Sequence, residues 1–159
     1  MEESGFHSAV GFILAILFAT VMGLSVFAVL YTDALSGGVI NDQEKTTLTI
    51  AAMAGALAAL ISWLLQSFAA HRSFAVRLVY GLLIFLLIFC ALGGLFKFSY
   101  GIATSQGSVD FSPSGLYFSS LSAFYAFAFS LFNSSLPAFL GLNFAAGLIL
   151  ASVGPRKVY

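Results

Sequence analysis

Every charged side chain of this sequence lies outside four long uncharged runs: Ser4 to Thr32, Thr46 to His71, Leu78 to Phe96 and Phe111 to Pro155. A helix crosses a hydrocarbon core of ~30 Å with ~20 apolar residues, and each run is near or above that length. Inside lipid the backbone must satisfy its own N–H and C=O groups. Contiguous apolar runs do so as helices, whereas an outer-membrane strand would alternate polar and apolar positions. A composition that is 60% hydrophobic and 8% charged excludes the soluble globular and disordered classes. The expected fold is an all-α integral membrane protein, a single four-transmembrane-helix bundle over residues 1–159. Its spans fall at roughly 7–31, 47–68, 77–97 and 132–152.

The placement of the cations orients these spans. Arg72 and Arg77 flank the short second loop and Arg156 and Lys157 follow the last run, whereas the first and third loops are mildly acidic. By the positive-inside rule the second loop and both termini are expected to be cytoplasmic, which an even number of spans permits. The sequence opens Met-Glu-Glu-Ser, without the basic n-region of a signal peptide, and its first apolar run is longer than an h-region. The first helix is therefore expected to stay in the mature protein.

The fourth run is too long for one crossing, since a straight helix from Leu116 to Ser152 would overshoot the bilayer at ~1.5 Å per residue. A break is written at Asn133-Ser134-Ser135-Leu136-Pro137, where Pro137 lacks an N–H and crowds the preceding turn. Two crossings here would put Arg156 and Lys157 outside, against the charge rule. The expectation is a Pro-kinked last helix preceded by an aromatic segment, 116–131, that is interfacial, re-entrant or protruding. Ser119, Ser122 and Ser130 share one side of that segment, with Phe and Tyr around the rest. Serines bonded to their own helix backbone would explain the same pattern.

Small residues mark where helices can approach. Gly11, Ala15, Ala19 and Gly23 recur at every fourth position of the first run, as do Ala51, Gly55 and Ala59 in the second. Asn143, Gly147 and Ala151 repeat the spacing in the last. Such rows bring backbones together where no hydrophobic force acts between helices, so the first two helices are expected to form an antiparallel hairpin. Asn143 could add a cross-helix hydrogen bond. The third run is bulky all round, with small residues only at Gly81, Cys90, Gly93 and Gly94, and is the best candidate of the four for lipid exposure.

Chemistry is limited by what the runs omit. No ionisable group lies mid-run, which removes the usual centre of a proton- or cation-coupled transporter. His7, His71 and Cys90 do not make a metal or haem cluster, and no nucleotide, zincin or nucleophile-elbow motif occurs, so no catalytic residue, cofactor or metal is expected. Net charge zero without a basic stripe gives no basis for nucleic-acid binding. Arg72, Arg77, Arg156 and Lys157 could contact anionic lipid headgroups, although orientation alone accounts for them.

The expected function is that of a non-catalytic structural or accessory subunit of a larger membrane-protein complex. It would dock through small-residue faces and Phe/Leu surfaces against membrane lipids and other integral membrane proteins or a second copy. The alternative is a small oligomeric channel or carrier for a neutral substrate along the broken fourth helix, lined by Ser119, Ser122, Ser130, Asn133 and Asn143. A wet polar cavity reaching the midplane would favour the alternative, and continuous dry packing would favour the subunit.

Overall fold

A computed structural model describes residues 3–36, 38–104, 110–134 and 136–153; within them the side chains of 3–8, 33, 34, 43 and 130–134 lie outside the description. The described chain is helical: α1 (Glu3–Ser36), α2 (Asp42–Leu65) continued by a 3-10 turn (Gln66–Ala69), α3 (Phe74–Thr104), α4 (Pro113–Ser134) and α5 (Leu136–Val153). Among the described residues four stretches are long and apolar enough to cross a membrane, Ala9–Thr32, Glu44–Ala69, Phe74–Thr104 and Leu136–Val153.

Local sequence sets the helix starts. Asn41 caps α2, its Oδ1 accepting the Glu44 N–H at 2.8 Å while its own N–H donates to Glu44 Oε2 at 2.9 Å. This reciprocal pair, with Asp42 and Glu44 in the first turn, satisfies orphan donors and suits the positive end of the helix. The turn before it uses Gly38 at φ 112°, a left-handed conformation that glycine adopts without cost. At α4, Ser112 Oγ accepts the Gly115 N–H at 3.1 Å and Pro113 takes the first helical position, where a missing N–H removes no bond. Pro137 likewise falls in the first turn of α5.

The most extensive interface joins α1 and α2 as an antiparallel hairpin. Gly23 makes it close: a Cβ there would lie 3.0 Å from both the Ala52 carbonyl oxygen and Ala56 Cβ. Opposite, a Cβ on Gly55 would lie 2.9 Å from Val26 Cγ2. Ala15, Ala51 and Ala59 are buried in the same seam, Ala19 is half-buried, and Phe18 meets Trp63 at a centroid distance of 6.0 Å. Gly11 stands apart, with nothing within 4 Å of its Cβ position.

The third helix is the least buried of the four spans, as its bulky run suggests, yet one row of it faces the bundle. It packs against α2, α4 and α5, and its row Arg77, Gly81, Phe85, Phe89 and Gly93 is buried. Leu83, Leu87 and Leu95 point outward, so α3 is lipid-facing on one side only. The glycines explain this, because each admits a neighbour. Gly81 faces Leu150 and Gly147 of α5, Gly94 faces Phe124 of α4, and a Cβ on Gly93 would overlap the Phe127 ring. On α5, Phe139, Asn143, Gly147 and Ala151 form the buried row, with Leu82 Cδ2 2.6 Å from a Cβ built on Gly147. Thus α5 runs antiparallel along the first half of α3, and α4 lies along the second half.

Candidate functional site

Beyond the tight contacts at Gly93 and Gly94, α3 and α4 separate into an open groove with a cavity of about 660 Å³. On α3 it is lined by Lys97, Phe98, Gly101 and Ile102, and on α4 by Phe118, Ser119, Ser122, Ala123 and Ala126. Asp110, just before α4, closes the outer end. It is fixed there by Ser112, whose backbone N–H donates to Asp110 Oδ1 at 2.9 Å. That backbone bond first, and the Ser112 side chain second, hold the exposed Asp110 carboxyl below the usual carboxylate range. A Cβ on Gly115 would lie 2.5 Å from Asp110 Cγ, so only glycine leaves room for this arrangement. Lys97 and Asp110 line one groove with opposite charges, and no ion pair joins them; among the described residues the ion pair is Lys45–Asp42 at 3.1 Å.

The serines of α4 divide into two kinds. Ser120 Oγ donates to the Tyr117 carbonyl at 2.9 Å, the self-bonded state that the sequence alone could explain. Thr20, Thr32, Thr46, Thr49, Ser99 and Thr104 behave likewise on their own helices. Ser119 and Ser122 have no such bond among the described residues, and both residues line the groove.

A second polar set is buried in the bundle: Ser62, Gln66, Arg77 and Asn143. Gln66 Nε2 donates to the Arg77 carbonyl at 3.0 Å, and Tyr80 reaches the Leu65 carbonyl at 3.4 Å, which ties the end of α2 to the start of α3. Ser62 Oγ, Gln66 Oε1 and Asn143 Oδ1 are buried without a hydrogen-bond partner among the described residues. For Asn143 no cross-helix bond is found among the described residues. Its face of α5 meets α3 between Leu78 and Phe89, where the one polar side chain is Tyr80, whose hydroxyl reaches the Leu65 carbonyl of α2.

The residues expected to line one path do not converge. Ser119 and Ser122 lie in the groove at the Lys97 end of α3, whereas Asn143 lies in the core of the bundle. Between them stand four phenylalanines: Phe89 meets Phe85 at 6.0 Å, Phe127 at 5.5 Å and Phe139 at 5.2 Å between ring centroids. Phe85 and Phe89 are 0% exposed, so the packing there is dry. The side chains of Ser130 and Asn133 lie outside the described residues.

Of the cations expected at headgroups, Arg72 is exposed, and Arg77 is instead buried at 5% exposure, because it falls on the inward row of α3 one turn before Gly81. Arg156 and Lys157 lie outside the described residues, as does the His7 side chain; His71 is exposed. Among the described residues no three His, Cys, Asp or Glu side chains gather in metal-binding geometry. Lys97 was not singled out by the sequence, although its position supplies a signal. It follows Arg77 by 20 residues, about 30 Å of helix, so the two cations bracket one hydrocarbon thickness.

No family model matches the chain, and no curated protein or solved structure matches it significantly.

Proposed function

We propose that the protein is a non-catalytic structural or accessory subunit of a larger membrane-protein complex, with both termini cytoplasmic and α4 as its outer docking segment. The observation that carries this reading is the surface of α4. The helix is held mainly by α3, and Tyr117, Leu121, Tyr125 and Phe129 are exposed outside the groove lining. Large aromatics that include the tyrosine hydroxyls of Tyr117 and Tyr125 suit a protein partner better than bare hydrocarbon, in which an unpaired hydroxyl is costly.

The dimensions of α3 support the outer placement. Its 31 residues extend about 46 Å. With Arg77 near one interface and Lys97 near the other, the last turns of α3 emerge from the core, and the start of α4 lies beside them. Pro137, in the first turn of α5, supports a hinge between an interfacial α4 and the spanning α5.

Most of the small-residue rows are occupied inside the bundle, which leaves Gly11 as the open position among them and shifts docking toward α4 and the outward faces of α1. Membrane lipids cover the remaining Leu and Phe surface. The alternative, a channel or carrier for a neutral solute, is opposed by the Phe85, Phe89, Phe127 and Phe139 cluster that separates Ser119 and Ser122 from Asn143. Purification of the tagged protein from its native membrane in nanodiscs, with mass spectrometry of what remains bound, tests the proposal. Stoichiometric recovery of another membrane protein supports it, and a homogeneous homo-oligomer alone counts against it.

A further inference from the structure

We propose that the groove between α3 and α4 is a binding site for a phospholipid whose headgroup carries a phosphate followed by a primary ammonium. The groove combines apolar lining with one cationic and one anionic group, as such a lipid combines tail, phosphate and amine. Ala123 and Ala126 line the end nearest the Phe127–Gly93 contact, which lies deepest in the bundle. Lys97, Ser119 and Ser122 follow, with the apolar Phe98, Ile102 and Phe118 beside and beyond them, and Asp110 stands over Gly115.

Each group has a stated use. A phosphate at the Lys97 level receives one ammonium charge and two hydroxyl donors that have no other bond among the described residues. The carboxylate of Asp110 is fixed one helical turn farther out, where the amine of an ethanolamine headgroup would reach. Its Oδ1 accepts from the Ser112 N–H at 2.9 Å, and a carboxylate has further lone pairs with which to accept from that amine. Lys97 and Asp110 do not neutralise each other, so the groove presents separated positive and negative ends. A phosphate alone would be repelled by the outer end, and an amine alone by the inner one. The level also fits, since Lys97 lies about one hydrocarbon thickness from Arg77, where headgroup phosphates begin. This site does not depend on the subunit reading, because Tyr125 and Phe129 are outside its lining.

The test is native mass spectrometry of the purified full-length protein with phosphatidylethanolamine and phosphatidylglycerol of identical acyl chains at equal concentration. The wild type is expected to retain the ethanolamine lipid about fivefold better, the factor that ~1 kcal/mol for one charge contact supplies. Lys97→Gln should weaken retention of both lipids, and Asp110→Asn should weaken only the ethanolamine lipid and so erase the preference. Arg72→Gln, at the opposite end of the bundle, should leave the preference unchanged. Equal retention by the wild type, a preference that survives Asp110→Asn, or undiminished binding in Lys97→Gln would overturn the proposal.

Discussion

The ring of Phe127 on α4 covers the bare Cα of Gly93 on α3, and no side-chain atom at position 93 could coexist with that ring where it stands. Phe127 is 1% exposed and packs on Phe89, so it cannot swing aside freely. Gly93→Ala is expected to cost about 1–3 kcal/mol of overpacking. Gly101→Ala, with nothing within 4 Å of its Cβ position, should leave stability unchanged or raise it slightly through helix propensity. Thermal unfolding of both variants in one detergent separates a clash from a general effect of glycine replacement. Equal midpoints for the two would remove Gly93 as the contact that seats α4.

Asn143 buries a carbonyl oxygen that finds no donor among the described residues. Replacing it by the apolar and similarly sized leucine should hold or raise the unfolding midpoint, because an unsatisfied buried polar group costs about 1–3 kcal/mol. A loss in Asn143→Leu comparable to that in Gly93→Ala would show that the amide makes an essential bond.

The start of α4 depends on Ser112. Its hydroxyl caps the Gly115 N–H, and Ser112→Ala should destabilise this end by about 1 kcal/mol. Faster hydrogen exchange at Gly115, with exchange at α2 unaltered, would report the loss locally.

The Asp110 carboxyl is held low by the Ser112 backbone N–H, so its folded pKa lies below its unfolded value. The bond is then fully made above the unfolded carboxylate pKa of about 3.9 and is lost as pH falls through the folded value. The Ser112 amide resonance should shift on the acid side of that range in the wild type and stay flat in Asp110→Asn. A titration in the variant would assign the shift to another group.

The spans were legible because exclusion of charge is a one-dimensional property, readable without knowing what packs on what. The hairpin was legible for a related reason: Gly23 and Gly55 each carry the small-residue spacing within their own helix. Which face of α3 is buried was not, since Phe85 and Phe89 look the same whether they face lipid or protein. Gly81, Gly93 and Gly94 were its available signal, and their meaning depends on which neighbour fills the space. Ser119 and Ser122 were visible as a pair by spacing, but their partner Lys97 comes from another helix and is joined to them only by tertiary register. The burial of Arg77 was hidden for the same reason: a cation at a helix start reads as open to headgroups until the Gln66 bond and the Gly81 row fix its rotation toward the bundle. The bond expected of Asn143 failed because spacing specifies a face and says nothing about the donors opposite it.

The most direct measurement is site-specific photo-crosslinking from α4 in native membranes, with a photoreactive amino acid at Tyr125 or Phe129 and a control at Leu83 on the outward side of α3. The subunit reading predicts a discrete crosslinked adduct to another membrane protein from Tyr125 and Phe129, and none from Leu83. Crosslinks from all three positions only to lipid, or only to a second copy of this chain, would contradict it.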